Sequence, residues 1–163
     1  FFAGNGVPVI WRGALLNSMM NHFFHDVKWS RDLEYMIIDS PPGTGDIMLD
    51  LKNLAPTAQV LIVTTPHTSA SEVATKAGVA FRKLKHDIIG VIENMSYYLN
   101  PANNEKDFIF GKGGGEKVAQ TLGVELLAQI PINQPKHHLS LFETDEETGR
   151  IYDDLATFIT LQA

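Results

Sequence analysis

The chain has 163 residues, 44% of them apolar and 20% charged, with a formal net charge of −6 and no cysteine. A chain of this size suffices for one domain and buries roughly 70% of its unfolded surface. Disulfides and thiolate ligation of a metal are excluded for these residues, no apolar run approaches the ~20 residues of a membrane span, and the negative balance disfavours nucleic-acid binding driven by phosphate contacts.

Leu15, Leu16, Met19, Met20, Phe23 and Phe24 recur at helical spacing and predict a first helix. Before it, Trp11 reads as core, while the Arg12 guanidinium suits an oxyanion or a partner subunit. Four short apolar runs read as strands: Tyr35–Asp39, Gln59–Thr64, Ile88–Glu93 and Leu126–Ile130. They are near-continuous rather than alternating, which predicts burial on both faces. Asp46 is expected to cap a helix. Ser69-Ala-Ser-Glu72 fits a capping box, with Val73, Ala77, Phe81 and Leu84 following on one face. Tyr98 to Asp107 is polar and rich in Asn, and residues 98–110 read as an exposed insertion. Gly114 to Leu122 predicts a short helix stopped by Gly123. Gln134 to Glu147 reads as a surface loop, and Gly149 to Leu161 closes the chain with Ile151, Leu155, Phe158 and Ile159 as its apolar stripe.

This alternation implies an α/β fold, a mostly parallel sheet with helices on both faces. Ligands in such sheets sit outside the carboxyl ends of the strands. Asp39, Thr65-Pro66-His67, Glu93-Asn94 and Pro131 all fall at such ends.

The run Met36 to Asp46 is Met-Ile-Ile-Asp-Ser-Pro-Pro-Gly-Thr-Gly-Asp. An acid ending a buried strand, followed by a Gly-rich loop, is how a nucleotide-hydrolysing fold holds Mg²⁺ beside a terminal phosphate. One carboxylate, acting through water, is enough for a cation that keeps most of its waters, so Asp39 is the candidate. Asn94 offers donor and acceptor together, matching an adenine edge, or else closes an Asx turn. Lys112 to Val118 imitates a phosphate loop, but it lacks the Gly before Lys117 and the hydroxyl at 118, and reads as a flexible lead into a helix. The pairs His22/His25 and His137/His138 offer too few convergent ligands for a metal, and His67 has no settled role.

Four segments carry a wider likeness: Pro8-Val-Ile-Trp-Arg-Gly13, Ile38-Asp-Ser-Pro-Pro-Gly-Thr-Gly-Asp46, Gly90-Val-Ile-Glu-Asn-Met-Ser-Tyr97 and Ile109-Phe-Gly-Lys-Gly-Gly-Gly-Glu-Lys117. In order and spacing the chain resembles the Mrp/ApbC-type P-loop ATPases, relatives of MinD and ParA that mostly carry iron–sulfur clusters. The resemblance implies a P-loop NTPase fold over 1–163 as one partial domain, ATP and Mg²⁺ as cofactors, a homodimer switched by hydrolysis, a client protein and a cytoplasmic location. It places Gly43, Thr44 and Gly45, with Pro42 before them, in the loop that senses the γ-phosphate, Asp39 on Mg²⁺, and Asn94 and Pro131 beside the adenine.

Two departures qualify what the resemblance implies. The family's loop of the form Lys-Gly-Gly-Val-Gly-Lys-Ser/Thr belongs well upstream of the Asp39 motif. The chain is therefore expected to be the C-terminal portion of an ATPase, inactive alone, and no catalytic residue is named. Asn100 and Asn103 stand where the family has its Cys-Pro-x-Cys pair, with Pro101 retained. Carboxamides are neutral, hard donors, poorly matched to a cluster held by soft thiolates, so the iron–sulfur cluster implied by the family is not supported by this chain. Three readings stay open: a carrier with its cluster ligands elsewhere, a cluster-free ATP-dependent regulator, and a non-catalytic scaffold.

Overall fold

The computed structural model describes residues 13–40, 45–137 and 140–162, with side chains from residue 16 onward and Asp46 represented by backbone only. Trp11, Arg12, Pro42, Gly43, Thr44 and His138 lie outside the described residues. The chain forms two compact units, Phe1–Ala58 and Gln59–Ala163.

In the first unit, α1 (Gly13–His25) packs on α2 (Asp46–Leu54). The apolar side of α2 is buried through Ile47, Met48 and Leu51, and Asn17 Nδ2 donates to the buried Asp50 carboxylate. Gly45 is the N-cap of α2, so Asp46 is its first helical residue and not its cap. Between the helices, Trp29 Nε1 donates to Phe23 O at 3.0 Å.

The expected strand Tyr35–Asp39 does not form. Residues 33–40 have no regular secondary structure and belong to neither sheet, and Ile37 is 83% exposed. A strand is a collective object: an apolar run extends into one only where a neighbour takes its N–H and C=O groups. Among the described residues none does.

The second unit holds a parallel sheet ordered β1 (Val60–Thr64), β2 (Ile88–Glu93), β5 (Leu126–Gln129). Ile62 lies opposite Val91, and Glu93 opposite Gln129. Two helices, α3 (Thr68–Lys83) and α4 (Gly114–Leu122), cover one face; their core joins Ile62, Ala74, Ile88, Val91, Val118, Ala119 and Leu122. The other face, Ile92 and Ile130, takes Leu155 of α5 (Glu147–Gln162). Helices therefore lie on both faces of a mostly parallel sheet, as the alternation predicts. Burial on both faces holds for the central strand β2 alone; β1 is at an edge of the sheet, and its Val63 is 58% exposed.

Helix α3 departs from expectation twice. Its N-cap is His67, whose Nδ1 accepts from the Ser69 N–H at 3.3 Å, so no capping box forms. Its buried face is Ser71, Ala74 and Gly78, while Val73 is half exposed. Close approach selects the small residues: a Cβ on Gly78 would come within 2.4 Å of Leu122 Cδ1. Helix α4 ends on Gly123 in the left-handed region at φ 57°, the role glycine serves there.

Between β2 and α4, residues 98–107 form a small antiparallel hairpin of β3 (Tyr98–Leu99) and β4 (Lys106–Asp107). Leu122 is wholly buried where α3, α4 and the sheet meet. Leu122→Ala is expected to cost about 2–5 kcal/mol, read as a lowered urea midpoint at unchanged m-value.

Candidate functional site

The carboxyl ends of β1, β2 and β5 are laced together by backbone hydrogen bonds. Asn94 N–H donates to Thr64 O at 2.8 Å, Ile130 N–H to Glu93 O at 2.8 Å, Ser96 N–H to Ile130 O at 2.9 Å, and Ile132 N–H to Tyr97 O at 2.7 Å. These bonds bring the loop after β2 against the loop after β5, and with them Asn94 and buried Pro131. Met95 turns outward in the left-handed region at φ 55°. Its N–H donates to Asn94 Oδ1 at 2.9 Å, while the Ser96 N–H that an Asx turn would use goes to Ile130 O. The Asn94 Nδ2 makes no hydrogen bond among the described residues.

Beneath this loop lies Glu93, 1% exposed. Its Oε1 accepts from Ser96 Oγ at 2.6 Å and from Gln129 Nε2 at 2.9 Å. Its Oε2 accepts from the Gly115 N–H, in the first turn of α4, at 2.6 Å. A carboxylate at a helix N-terminus is favoured by the dipole and by the unpaired N–H groups there. The chain's own Glu93 is thus the anion at this glycine-rich helix start, and Lys112 to Lys117 forms no phosphate loop. Nor is the segment merely flexible. A Cβ on Gly114 would meet Pro66 O at 2.4 Å, and one on Gly115 would meet Glu93 Cβ at 2.7 Å. Sequence analysis places Glu93 beside Asn94 at a strand end but assigns it no role. The available signal was an acid ending an otherwise apolar strand, paired in register with a polar Gln129.

The hairpin shows what the two asparagines at the cysteine positions do. Asn100 Oδ1 accepts from Ala102 N–H at 3.0 Å, and Asn103 Oδ1 accepts from Glu105 N–H at 3.1 Å. Asn103 Nδ2 donates to Glu105 Oε2 at 2.7 Å, and Asn104 takes the left-handed conformation at φ 57°. Both carboxamides close turns of the kind Asn favours. Tyr97 and Phe108 meet edge to face at the hairpin's base, with Lys106 Nζ 3.8 Å from the Tyr97 ring centroid and Lys112 Nζ 4.8 Å from that of Phe108.

Of the other candidates, Asp39 is exposed and belongs to the first unit. His67 caps α3. No group of three or more His, Cys, Asp or Glu suited to a metal exists among the described residues.

A family model for "ParA: NUBPL iron-transfer P-loop NTPase" matches residues 1–153. The chain belongs to this family of P-loop NTPases. The Mrp/ApbC resemblance agrees with it. The iron–sulfur cluster carrier protein of Bacillus subtilis (strain 168) is 43% identical over 161 residues, covering 96% of this chain and 46% of that protein. The iron–sulfur cluster carrier protein of Saccharolobus solfataricus is 41% identical over 127 residues, 77% of this chain and 43% of that one. The nucleotide-binding protein of Archaeoglobus fulgidus, solved in complex with ADP, superposes with a TM-score of 0.62 at 33% identity, covering 74% of this chain and 49% of that one. The chain thus spans about half the length of the curated relatives it matches, or less. No helix among the described residues is long and apolar enough to cross a membrane.

Within this P-loop NTPase the strand-end loop continues into Tyr97, whose hydroxyl donates to Glu147 Oε1 at 2.9 Å. Burial pushes the Tyr97 phenol from 10.0 up to about 12, and the hydrogen bond to Glu147 and that group's negative charge add to the rise. A raised acid contributes stability that is complete below pH 10.0 and is lost as pH climbs through about 12. In an alkaline ultraviolet titration, Tyr97 is expected to ionise late, at about pH 12. Tyr97→Phe should remove that step and flatten the fall in urea stability above pH 10.0. A step that persists in the variant would show that another phenol carries it.

Proposed function

We propose that the full-length protein binds ATP with Mg²⁺ and hydrolyses it, switching a homodimer between states, in the service of iron–sulfur cluster carriage to a client protein in the cytoplasm. The observation that supports the nucleotide part is the hydrogen-bonded approach of the loop carrying Asn94 to the loop carrying Pro131 at the strand ends. In this reading Asn94 and Pro131 border the adenine, with the amide N–H groups offered to a ring nitrogen. The ADP complex of the related Archaeoglobus fulgidus protein supports it.

Gly43, Thr44 and Gly45, with Pro42 before them, would meet the γ-phosphate with backbone N–H groups. Asp39 would serve Mg²⁺ through water. Its exposure fits that cation, which keeps several waters and draws its other ligands from phosphate. When bound, the ion neutralises charge on the β- and γ-oxygens. The chain's own contribution is positioning, and the loop lysines that stabilise the phosphates are not among its residues.

The cluster is cargo, and this segment does not fit it: there is no cysteine, and the oxygens of Asn100 and Asn103 are spent on turns. Those turns favour a second reading, a cluster-free ATP-dependent regulator that keeps the family's fold.

Asn94→Ala is expected to weaken ADP binding about 3- to 10-fold, the worth of one ordinary hydrogen bond, by isothermal titration calorimetry. Unchanged affinity would remove Asn94 from the base site. Anaerobic reconstitution of the full-length protein with iron and sulfide separates the two readings. Visible cluster absorbance marks the carrier, and its absence under conditions that load the Bacillus subtilis relative marks the regulator.

A further inference from the structure

Residues 93 to 115 leave the sheet at the end of β2, pass through the Asn94–Met95 turn and the hairpin, and return at the start of α4. Backbone bonds tie its outgoing stretch to β1 and to the loop after β5, and one side chain, Glu93, joins that stretch to the returning one. Glu93 Oε1 holds the outgoing stretch of chain at Ser96 Oγ, and Glu93 Oε2 holds the returning one at the Gly115 N–H. Gln129 Nε2 ties the same carboxylate to β5. All of these bonds are buried or half-buried, and Ser96 is wholly so. The hairpin's base packs on Tyr97, Phe108, Lys106 and Lys112 within the excursion, and Tyr97 is tied outside it to Glu147 and Ile132.

We propose that Glu93 is a positioning residue that clasps this excursion at its base, so that a nucleotide held at Asn94 changes the mobility of the hairpin. The coupling rests on the nucleotide reading above; the clasp itself does not. Asn94 and Met95 are the two residues between the anchors Glu93 and Ser96, so a ligand that stiffens them bears directly on one jaw of the clasp. The other jaw, Gly115, is where the chain returning from the hairpin enters α4. Nothing larger than glycine fits there, since a Cβ would stand 3.0 Å from Oε2 and 2.7 Å from Glu93 Cβ.

Hydrogen exchange of the full-length protein, which includes the phosphate-loop lysines, read by mass spectrometry, tests this with three variants. Glu93→Ala deletes the clasp. Glu93→Gln retains it, because a carboxamide accepts from Gly115 and donates to Ser96, and the Gln129 amide turns to accept. Ser96→Ala removes one donor. Without nucleotide, Glu93→Ala is expected to speed exchange across 94–115 together by about tenfold or more, leaving β1 and α5 slow. Ser96→Ala should give the same pattern at about threefold, and Glu93→Gln should stay near wild type. If Glu93→Ala fails to fold, the Ser96→Ala pattern decides. Exchange that rises equally over the whole second unit, or not at all in 94–115, overturns the clasp. With ADP added, wild type should slow both residues 94–97 and the hairpin, whereas Glu93→Ala or Ser96→Ala should slow 94–97 while the hairpin's response shrinks or disappears. A hairpin that responds equally in wild type and variants overturns the coupling. ADP that slows neither region in wild type overturns the nucleotide reading and the coupling with it, while the nucleotide-free comparison by itself decides the clasp.

Discussion

A carboxylate taken out of water has to recover in hydrogen bonds what it gives up in hydration, and Glu93 does so from three separate pieces of chain. Ser96, Gln129 and Gly115 supply the donors. Each of those identities is then constrained: a hydroxyl three residues on, an amide at the paired position of the neighbouring strand, and a residue without a Cβ where α4 begins. The bonds stand in low-dielectric surroundings, where a satisfied charge is strongly held and an unsatisfied one is costly. The strand-end loops inherit their positions from that arrangement. Asn94 sits between Glu93 and Ser96, and its backbone N–H is taken by Thr64, so its side chain projects from a fixed base.

The same preference for close backbone approach shapes the helices. Gly78 on α3 and Gly114 on α4 are positions where a methyl group would collide, with Leu122 in one case and Pro66 O in the other. The helices therefore sit low on the sheet, and the start of α4 lies directly over the carboxyl ends of β1 and β2. A glycine-rich stretch that resembles a phosphate cradle serves here to admit a side chain and a neighbouring backbone.

Much of this is legible in the sequence because it depends on local rules. The β2 boundaries, the glycine stop of α4, the apolar stripe of α5 and the exposed 98–110 excursion follow from periodicity and turn chemistry. So does the approach of the loop after β2 to the loop after β5, which needs only that their strands be neighbours. What is not legible depends on partners. Tyr35 to Asp39 has the composition of a strand, yet no ladder receives it among the described residues. Hydrophobicity points to Val73 as the inner face of α3, whereas the neighbouring helix leaves room only for Ser71, Ala74 and Gly78. Glu93 reads as the last letter of a strand, since nothing local announces that an acid will be enclosed.

The turns at Asn100 and Asn103 have a consequence for the conditions under which the hairpin keeps its form. A thiol pair at those places would answer to peroxide, dioxygen and the thiol pool, moving along a ladder of oxidation states and changing shape or charge at each rung. Carboxamides have no such ladder. This tip of the molecule is indifferent to redox potential, and it should present the same surface to its surroundings in aerated and in strongly reducing solution.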